Sequence, residues 1–107
     1  MFKLQNKYSL YIPSTIKLWN ISGEEHNKKI ESYTRVIARK FKGATITRGV
    51  GNWIGNSGFV TEENVAIISA FSEDDELEFM VSLAEILKEE MKQECVSLEV
   101  NGVLYLI

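Results

Sequence analysis

The stretch that decides the fold runs from Lys42 to Phe71 and reads KGATITRGVGNWIGNSGFVTEENVAIISAF. Its two ends, about 44–50 and 65–71, are rich in β-branched and aromatic side chains and predict two strands. The connection between them contains Gly49, Gly51, Gly55 and Gly58. Some of these glycines are expected to adopt a positive φ or to form a bulge. The stretch therefore predicts a long, distorted hairpin.

On the N-terminal side, residues 7–12 predict a first strand, because Tyr8, Leu10 and Ile12 alternate with more polar neighbours. Pro13 ends this strand, since proline has no amide hydrogen for a ladder. Residues 14–21 are predicted to form a loop.

A first helix is predicted to begin at Ser22, because Ser22 and Glu25 have the spacing of a capping box. Its apolar residues recur at spacings of three and four and form one stripe: Ile30, Tyr33, Ile37 and Phe41. Gly43 is expected to end the helix in the left-handed conformation, which glycine adopts at little cost.

A second helix is predicted after Ser72, which is expected to cap it, and the acidic residues 73–76 suit its positive end. Its predicted buried face consists of Leu77, Met80, Leu83, Ala84, Leu87 and Met91. A fourth strand is expected at 96–100. The pair Asn101-Gly102 then predicts a type I′ hairpin turn, so residues 103–107 should return as a short fifth strand.

The predicted order, strand–helix–strand–strand–helix–strand, is that of a split βαββαβ, ferredoxin-like α+β domain. We predict one domain over residues 1–107, with a short C-terminal β-hairpin extension and an antiparallel sheet covered by two helices on one face. The other face of the sheet would carry Ser9, Tyr11, Thr45, Thr47, Ser97 and Glu99.

The composition limits the possible functions. The chain has 107 residues, of which 45% are hydrophobic, enough for one core. Its formal charge of −3 argues against non-specific binding to nucleic acid or to an anionic membrane, because both require clustered basic side chains.

The single cysteine, Cys95, excludes an intramolecular disulfide and is expected to be a small core residue. No secretory signal is recognisable, and the apolar runs are shorter than the roughly 20 residues that span a bilayer. A cytoplasmic location is therefore expected.

The chain resembles a family of small, uncharacterised ferredoxin-like proteins from Gram-positive bacteria and their phages and plasmids. The motifs that carry the resemblance are YSLYIPST at 8–15, FKGAT at 41–45, GNW at 51–53, Gly58, Glu63 and QECVSLEVNG at 93–102. The resemblance implies this fold and a mobile-element context. It implies no established reaction and no catalytic residue.

A ligand or partner site is predicted where the 49–63 hairpin meets the open sheet face, with Tyr11, Arg48, Trp53 and Glu63 as its contacts. Arg48 would clamp an anion with its guanidinium fork, or form a surface ion pair with a nearby glutamate. Trp53 would present a flat ring to a ligand, or cover the core. Glu63 would act as a general base, or hold an amide of the hairpin.

No metal site or cofactor is predicted. His26, the only histidine, is expected to be solvated in the first turn of its helix, and a metal site needs further ligands. The glycine-rich connection lies between two strands, which is the wrong context for a phosphate-binding loop.

These features favour a non-enzymatic binding or inhibitory module, such as a phage- or plasmid-borne anti-defence factor that binds a host protein or a small anionic ligand. One alternative is a small enzyme with a pocket between subunits, using Glu63 and Tyr11 in acid–base chemistry. Another is a structural or regulatory oligomer. A homodimer is expected, because the open sheet face and the C-terminal edge strand leave apolar surface and backbone groups uncovered.

Overall fold

The structure, a computed structural model, describes residues 1–107 and confirms the predicted fold. Its elements are β1 (Asn6–Pro13), β2 (Thr15–Ile16), β3 (Trp19–Asn20), α1 (Gly23–Phe41), β4 (Thr45–Ile54), β5 (Val60–Ser72), α2 (Leu77–Met91), β6 (Ser97–Val100) and β7 (Val103–Leu106). Five strands form one antiparallel sheet in the order β4-β5-β1-β6-β7. Neither helix is long and apolar enough to cross a membrane.

The core lies between the sheet and the two helices. The strand β1 supplies Tyr8, Leu10 and Ile12, all of which are buried. They pack with the predicted apolar stripes of both helices, whose buried members in this cluster are Ile30, Tyr33, Ile37, Met80, Leu83, Ala84, Leu87 and Met91. Because this packing uses only one side of each strand, the opposite face of the sheet has no helix over it.

The helix α1 begins as predicted and ends one residue earlier than predicted. The Ser22 side chain accepts a hydrogen bond from the Glu25 amide at 3.1 Å and caps the N-terminus. At the other end, Lys42 rather than Gly43 has the left-handed conformation, with φ of 68°. A lysine there costs about 1 kcal/mol relative to glycine, so the packing of the helix decides where the chain reverses.

The predicted cap of α2 is wrong. The strand β5 continues through Ser72, and α2 begins only at Leu77, with Glu76 as an N-cap residue that makes no side-chain cap. The Ser72 hydroxyl instead accepts from the Asp74 amide at 3.1 Å, inside the connecting turn.

Residues 14–21 form a small hairpin rather than the predicted loop. The strands β2 and β3 pair through Thr15 with Asn20 and Ile16 with Trp19. The amide of Lys17 donates to the Met91 carbonyl at 3.0 Å and ties this hairpin to the end of α2. Thr15 is thereby held in a buried position just beyond the end of β1.

The hairpin of β4 and β5 is longer and more regular than predicted. Its ladder continues to the pair Ile54 and Val60, so only residues 55–59 form the loop, and of the four glycines only Gly58 has a positive φ. Since β1 covers β5 only as far as Val65, residues 50–64 project as a two-stranded arm. The molecule is accordingly elongated, 48 × 27 × 22 Å.

The C-terminal hairpin is confirmed, whereas two single-residue predictions are wrong. Asn101 and Gly102 both have positive φ, as a type I′ turn requires, and β7 returns along β6. Cys95 is exposed rather than part of the core. His26 is buried rather than solvated, because its Nε2 lies 3.1 Å from the Ile12 carbonyl and links α1 to β1.

Candidate functional site

The sheet face opposite the helices, the open face, carries the polar residues that the alternation predicted. The register aligns Thr45, Ser69 and Ser9 across three strands, and the hydroxyls of Ser9 and Ser69 lie 2.7 Å apart. One step along the sheet, Tyr11 is aligned with Ile67 and Thr47. The strand pattern alone therefore indicated which side chains share this face.

Three of the four predicted site residues belong to the open face, and the fourth does not. The open-face residues of β1, β4 and β5 all have odd numbers, and the register pairs odd positions with odd positions. The same parity, odd numbering, places Tyr11, Trp53 and Glu63 on the open face. Arg48 has the opposite parity, and its Nη2 donates to Asn27 Oδ1 of α1 at 3.2 Å. The structure thus separates Arg48 from the other three, and Arg48 makes no ion pair with a glutamate.

Glu63 is half-buried at the base of the arm and is held by a side chain from β2. The Thr15 hydroxyl donates to Glu63 Oε2 at 3.1 Å. Gln93, just beyond α2, donates from Nε2 to the Thr15 carbonyl at 2.8 Å and lies 3.3 Å from the Thr15 hydroxyl. Glu63 therefore bonds a hydroxyl of the domain body rather than the hairpin amide considered from sequence.

Trp53 lies over the backbone of its own strand. A Cβ atom built on Gly51 would be 3.0 Å from Trp53 Nε1, so the indole ring covers Gly51. Gly51 is the direct strand partner of Glu63. The ring, 39% exposed, is thus placed beside the carboxylate and does not cover the core.

Tyr11 is a donor and not a base at neutral pH. Burial, followed by the charge of Glu99 and a hydrogen bond to it, raises the pKa of Tyr11 above its ordinary value of 10.0. Its hydroxyl donates to Glu99 Oε1 at 3.5 Å. Because Ile67, its partner on β5, is four residues from Glu63, Tyr11 and Glu63 are about 13 Å apart along the sheet at roughly 3.3 Å per residue. The two side chains also bond different partners, Glu99 for Tyr11 and Thr15 for Glu63.

Two grooves of the molecule lie away from these three residues of the open face. A groove of about 440 Å³ between α1 and β4 includes Arg48, and a smaller groove of about 300 Å³ lies beside β2 and α1. Neither includes Tyr11, Trp53 or Glu63. The three residues of the open face are therefore separate from both of these grooves.

Sequence reasoning missed Thr15 and Gln93. Thr15 falls in a segment predicted to be a loop, and Gln93 follows a helix end, so neither has a periodic pattern that points to a role. Only their contacts with each other and with Glu63 indicate one. No three His, Cys, Asp or Glu side chains come together as a group that would hold a metal ion.

Two solved structures share this fold over nearly the whole chain. One is a phage SAM lyase in complex with S-methyl-5'-thioadenosine, with a TM-score of 0.69, 19% identity, and coverage of 95% of this chain and 88% of that chain. The other is a phage SAM lyase in the apo state, with a TM-score of 0.60, 18% identity, and coverage of 100% and 94%. No protein-family model and no curated protein sequence matches the chain.

The comparison overturns the main functional prediction. Both matched structures are of an enzyme, which contradicts a non-enzymatic binding module and agrees better with the alternative of a small enzyme. Both are also phage proteins, in keeping with the phage part of the resemblance seen in the sequence. At 18–19% identity, what the likeness shows of this chain is its fold.

Proposed function

We propose that this protein is a small enzyme that cleaves S-adenosyl-L-methionine (SAM) to S-methyl-5'-thioadenosine, at a site on the open face around Glu63. The observation that carries the proposal is the match, over 95% of the chain, to a SAM lyase that holds this nucleoside. The half-buried carboxylate beside an exposed indole ring supports it from this chain's own residues.

The charges of the open face suit a cationic substrate. SAM carries a positive sulfonium, which carboxylates and the faces of aromatic rings attract. Glu63 and Glu99 supply two half-buried carboxylates on this face, and Trp53 supplies the ring. The same ring offers a flat surface on which an adenine base can stack.

The product defines the bond that breaks. S-Methyl-5'-thioadenosine keeps the adenosine, the sulfur and the methyl group, so cleavage falls between the sulfur and Cγ of the methionine chain. The electron pair of that bond passes to sulfur, which becomes a neutral thioether. A lyase adds no water, so the four-carbon fragment leaves as an unsaturated amino acid after loss of a Cβ proton, or as a lactone after attack by its own carboxylate.

Glu63 is the catalytic carboxylate of this proposal. In the elimination it accepts the Cβ proton, and in the lactone route it holds the amino-acid chain through its ammonium group. Tyr11 contributes as a hydrogen-bond donor, since its raised pKa keeps the phenol protonated. Chromatography of the amino-acid product separates the two routes.

A second copy of the chain would complete the site. The arm exposes four large apolar side chains: Val50, Ile54, Phe59 and Val60. Val50, Ile54 and Val60 alternate with Trp53 and Glu63 and so lie on the other side of the arm. A partner chain would have to enclose both sides of the arm to bury them and to exclude water from the reacting bond. The proposed pocket is thus one between subunits.

Removal of SAM would also serve an anti-defence role. Methyltransferases of host defence systems use SAM as their methyl donor, and an enzyme that destroys it in the cytoplasm would deprive them of it. Expression of the protein in bacteria should then lower the cellular SAM pool, measured by mass spectrometry, and E63Q should abolish this effect.

The direct test is incubation of the purified full chain with SAM, followed by mass spectrometry of the products. We expect S-methyl-5'-thioadenosine to accumulate in proportion to enzyme and time. S-Adenosylhomocysteine, which lacks the sulfonium charge, should not be cleaved and serves as the control. Formation of the nucleoside at no more than the spontaneous rate would refute the proposal.

A further inference from the structure

The carboxylate of Glu63 is the end of a hydrogen-bonded chain that crosses three separate segments of the fold. Gln93 follows α2, Thr15 belongs to β2, and Glu63 lies on β5. Gln93 Nε2 lies 3.3 Å from the Thr15 hydroxyl, which in turn donates to Glu63 Oε2 at 3.1 Å. We propose that Thr15 and Gln93 are positioning residues that fix the Glu63 carboxylate for the reaction, an inference that rests on the proposed function.

The hydrogens that each side chain has available fix the direction of these hydrogen bonds. A threonine hydroxyl has one hydrogen to donate, and an amide nitrogen of glutamine only donates. Gln93 Nε2 has two hydrogens and three acceptors within reach, so its contact with the Thr15 hydroxyl at 3.3 Å, the longest of the three, shares a hydrogen with one of the two carbonyl bonds. Gln93 thus holds the backbone of Thr15 in place, and the Thr15 hydroxyl, whose single hydrogen goes to Glu63, orients the carboxylate.

The anchoring of Thr15 and Gln93 is rigid. Thr15 is buried, and its hairpin is bound to the end of α2 where the Lys17 amide donates to the Met91 carbonyl at 3.0 Å. The Gln93 side chain also donates to the carbonyls of Thr15 at 2.8 Å and Met91 at 3.0 Å. Both residues therefore belong to the domain body and not to the arm.

Glu63 itself does not have such support from its own strand. It lies beyond Val65, the last residue of β5 that pairs with β1, and so belongs to the two-stranded arm. An isolated pair of strands is marginally stable in water, so a side-chain link to the body contributes to fixing such an arm. The bond from Thr15 is the side-chain link that holds the carboxylate in register with the rest of the open face.

Loss of this link should reduce turnover more than binding. A displacement of about 1 Å at a reacting group lowers a rate by roughly 100-fold, whereas the rest of the binding surface is unchanged. T15V, which replaces the hydroxyl with a methyl group, should lower kcat about 10- to 100-fold with a KM for SAM within about threefold. T15S keeps a hydroxyl and should restore kcat to within about threefold of wild type.

A double-mutant cycle on the full chain separates this role from a merely structural one. We would measure nucleoside formation from SAM by wild type, T15V, T15S, E63Q and the double variant T15V/E63Q. If Thr15 acts through Glu63, T15V should have no further effect once Glu63 is replaced. Multiplicative losses in the double variant, or an unchanged kcat in T15V, would overturn the proposal.

A second readout keeps this inference separate from the proposed function. If the wild-type chain forms no nucleoside, the proposed function fails, and positioning is then judged by NMR in the unliganded protein. The chemical shift of the Glu63 carboxyl carbon should change in T15V, return in T15S and remain unchanged in T61V, an exposed control on the same arm. An unchanged shift in T15V would overturn the positioning role. Should T15V fail to fold, Q93L supplies the same comparison, with Thr15 retained.

Discussion

Glu62 and Glu63 are chemically identical neighbours that the pleat of β5 sends to opposite faces of the sheet. Glu63 points to the open face and bonds Thr15, whereas Glu62 is exposed and has no side-chain partner in the fold. The same alternation separates Arg48 from Tyr11 and Trp53. At this scale, parity along a strand decides which residues belong to a common site.

The alternation along β4 already indicates the face of Arg48, because Thr45 and Thr47 lie on the open face and Arg48 follows Thr47. The alternation of β1 and β5 placed Tyr11 on the open face, and the structure agrees. Trp53 lies beyond residue 50, where β4 was predicted to end, so only its parity had no clear reference in the sequence. The roles of Thr15 and Gln93 depend on contacts between segments distant in sequence, which no local pattern contains.

The contact of Trp53 with Gly51 gives a prediction for a single residue. An alanine at 51 would place a methyl group 3.0 Å from the indole nitrogen, so G51A should displace the ring. The change should appear as a shift in tryptophan fluorescence in a W19F background, which removes the only other indole. G49A is the matched control, since a Cβ at 49 meets nothing within 4 Å. Identical spectra for both variants would mean that the ring does not rest on Gly51.

At the scale of elements, one polar cluster joins the two helices. Glu90 of α2 accepts from Lys29 at 2.8 Å and from the Tyr33 hydroxyl of α1. Both bonds hold the pKa of Glu90 below its ordinary value of 4.5. The bond from Lys29 has the larger effect, and the bond from Tyr33 follows it. Burial and the bond to Glu90 raise the pKa of Tyr33, so the phenol remains a donor over the physiological range.

The lowered pKa of Glu90 makes the contribution of this polar cluster to stability depend on pH. A carboxyl group with a lowered pKa in the folded state stabilises the fold above pH 4.5, and this contribution is lost as the pH falls below that value. E90Q should lose about 0.5–1 kcal/mol at pH 7, since the group is partly exposed. Between pH 5 and about pH 3, the free energy of unfolding of E90Q should fall less than that of wild type.

Urea unfolding at each pH would measure this difference. E89Q is the control, because Glu89 is an exposed neighbour on the same helix with no side-chain partner in α1. A pH dependence of E90Q equal to that of E89Q would show that Glu90 does not contribute as described.

The existence and order of the elements followed from the sequence, whereas their ends did not. The capping box at Ser22 and the Asn101-Gly102 turn are short-range signals, and both were read correctly. The end of α1 at Lys42 and the extension of β5 through Ser72 are set by tertiary packing and strand pairing. Local propensity therefore located each element, and long-range contacts fixed where it stops.

At the scale of the whole molecule, the exposed apolar surface is the feature that predicts assembly. The arm and the edge strand β7 expose several large apolar side chains at opposite ends of the sheet: Val50, Ile54, Phe59, Val60, Val103, Leu104 and Leu106. We expect a homodimer, with a mass of about 24 kDa from two chains of 12.2 kDa. Light scattering should detect it at micromolar concentration, and F59K should weaken it. A 12 kDa particle at high micromolar concentration would exclude the dimer.

The measurement that tests the central claim most directly compares the two adjacent glutamates. Wild type, E63Q and E62Q would be incubated with SAM at equal concentration, and the initial rate of S-methyl-5'-thioadenosine formation would be measured for each. We predict that E63Q is slower by roughly 100- to 10,000-fold, the usual effect of removing a catalytic carboxylate, while E62Q stays within about twofold of wild type. Equal rates in all three proteins, or an equal loss in E62Q and E63Q, would contradict a catalytic site at Glu63 on the open face.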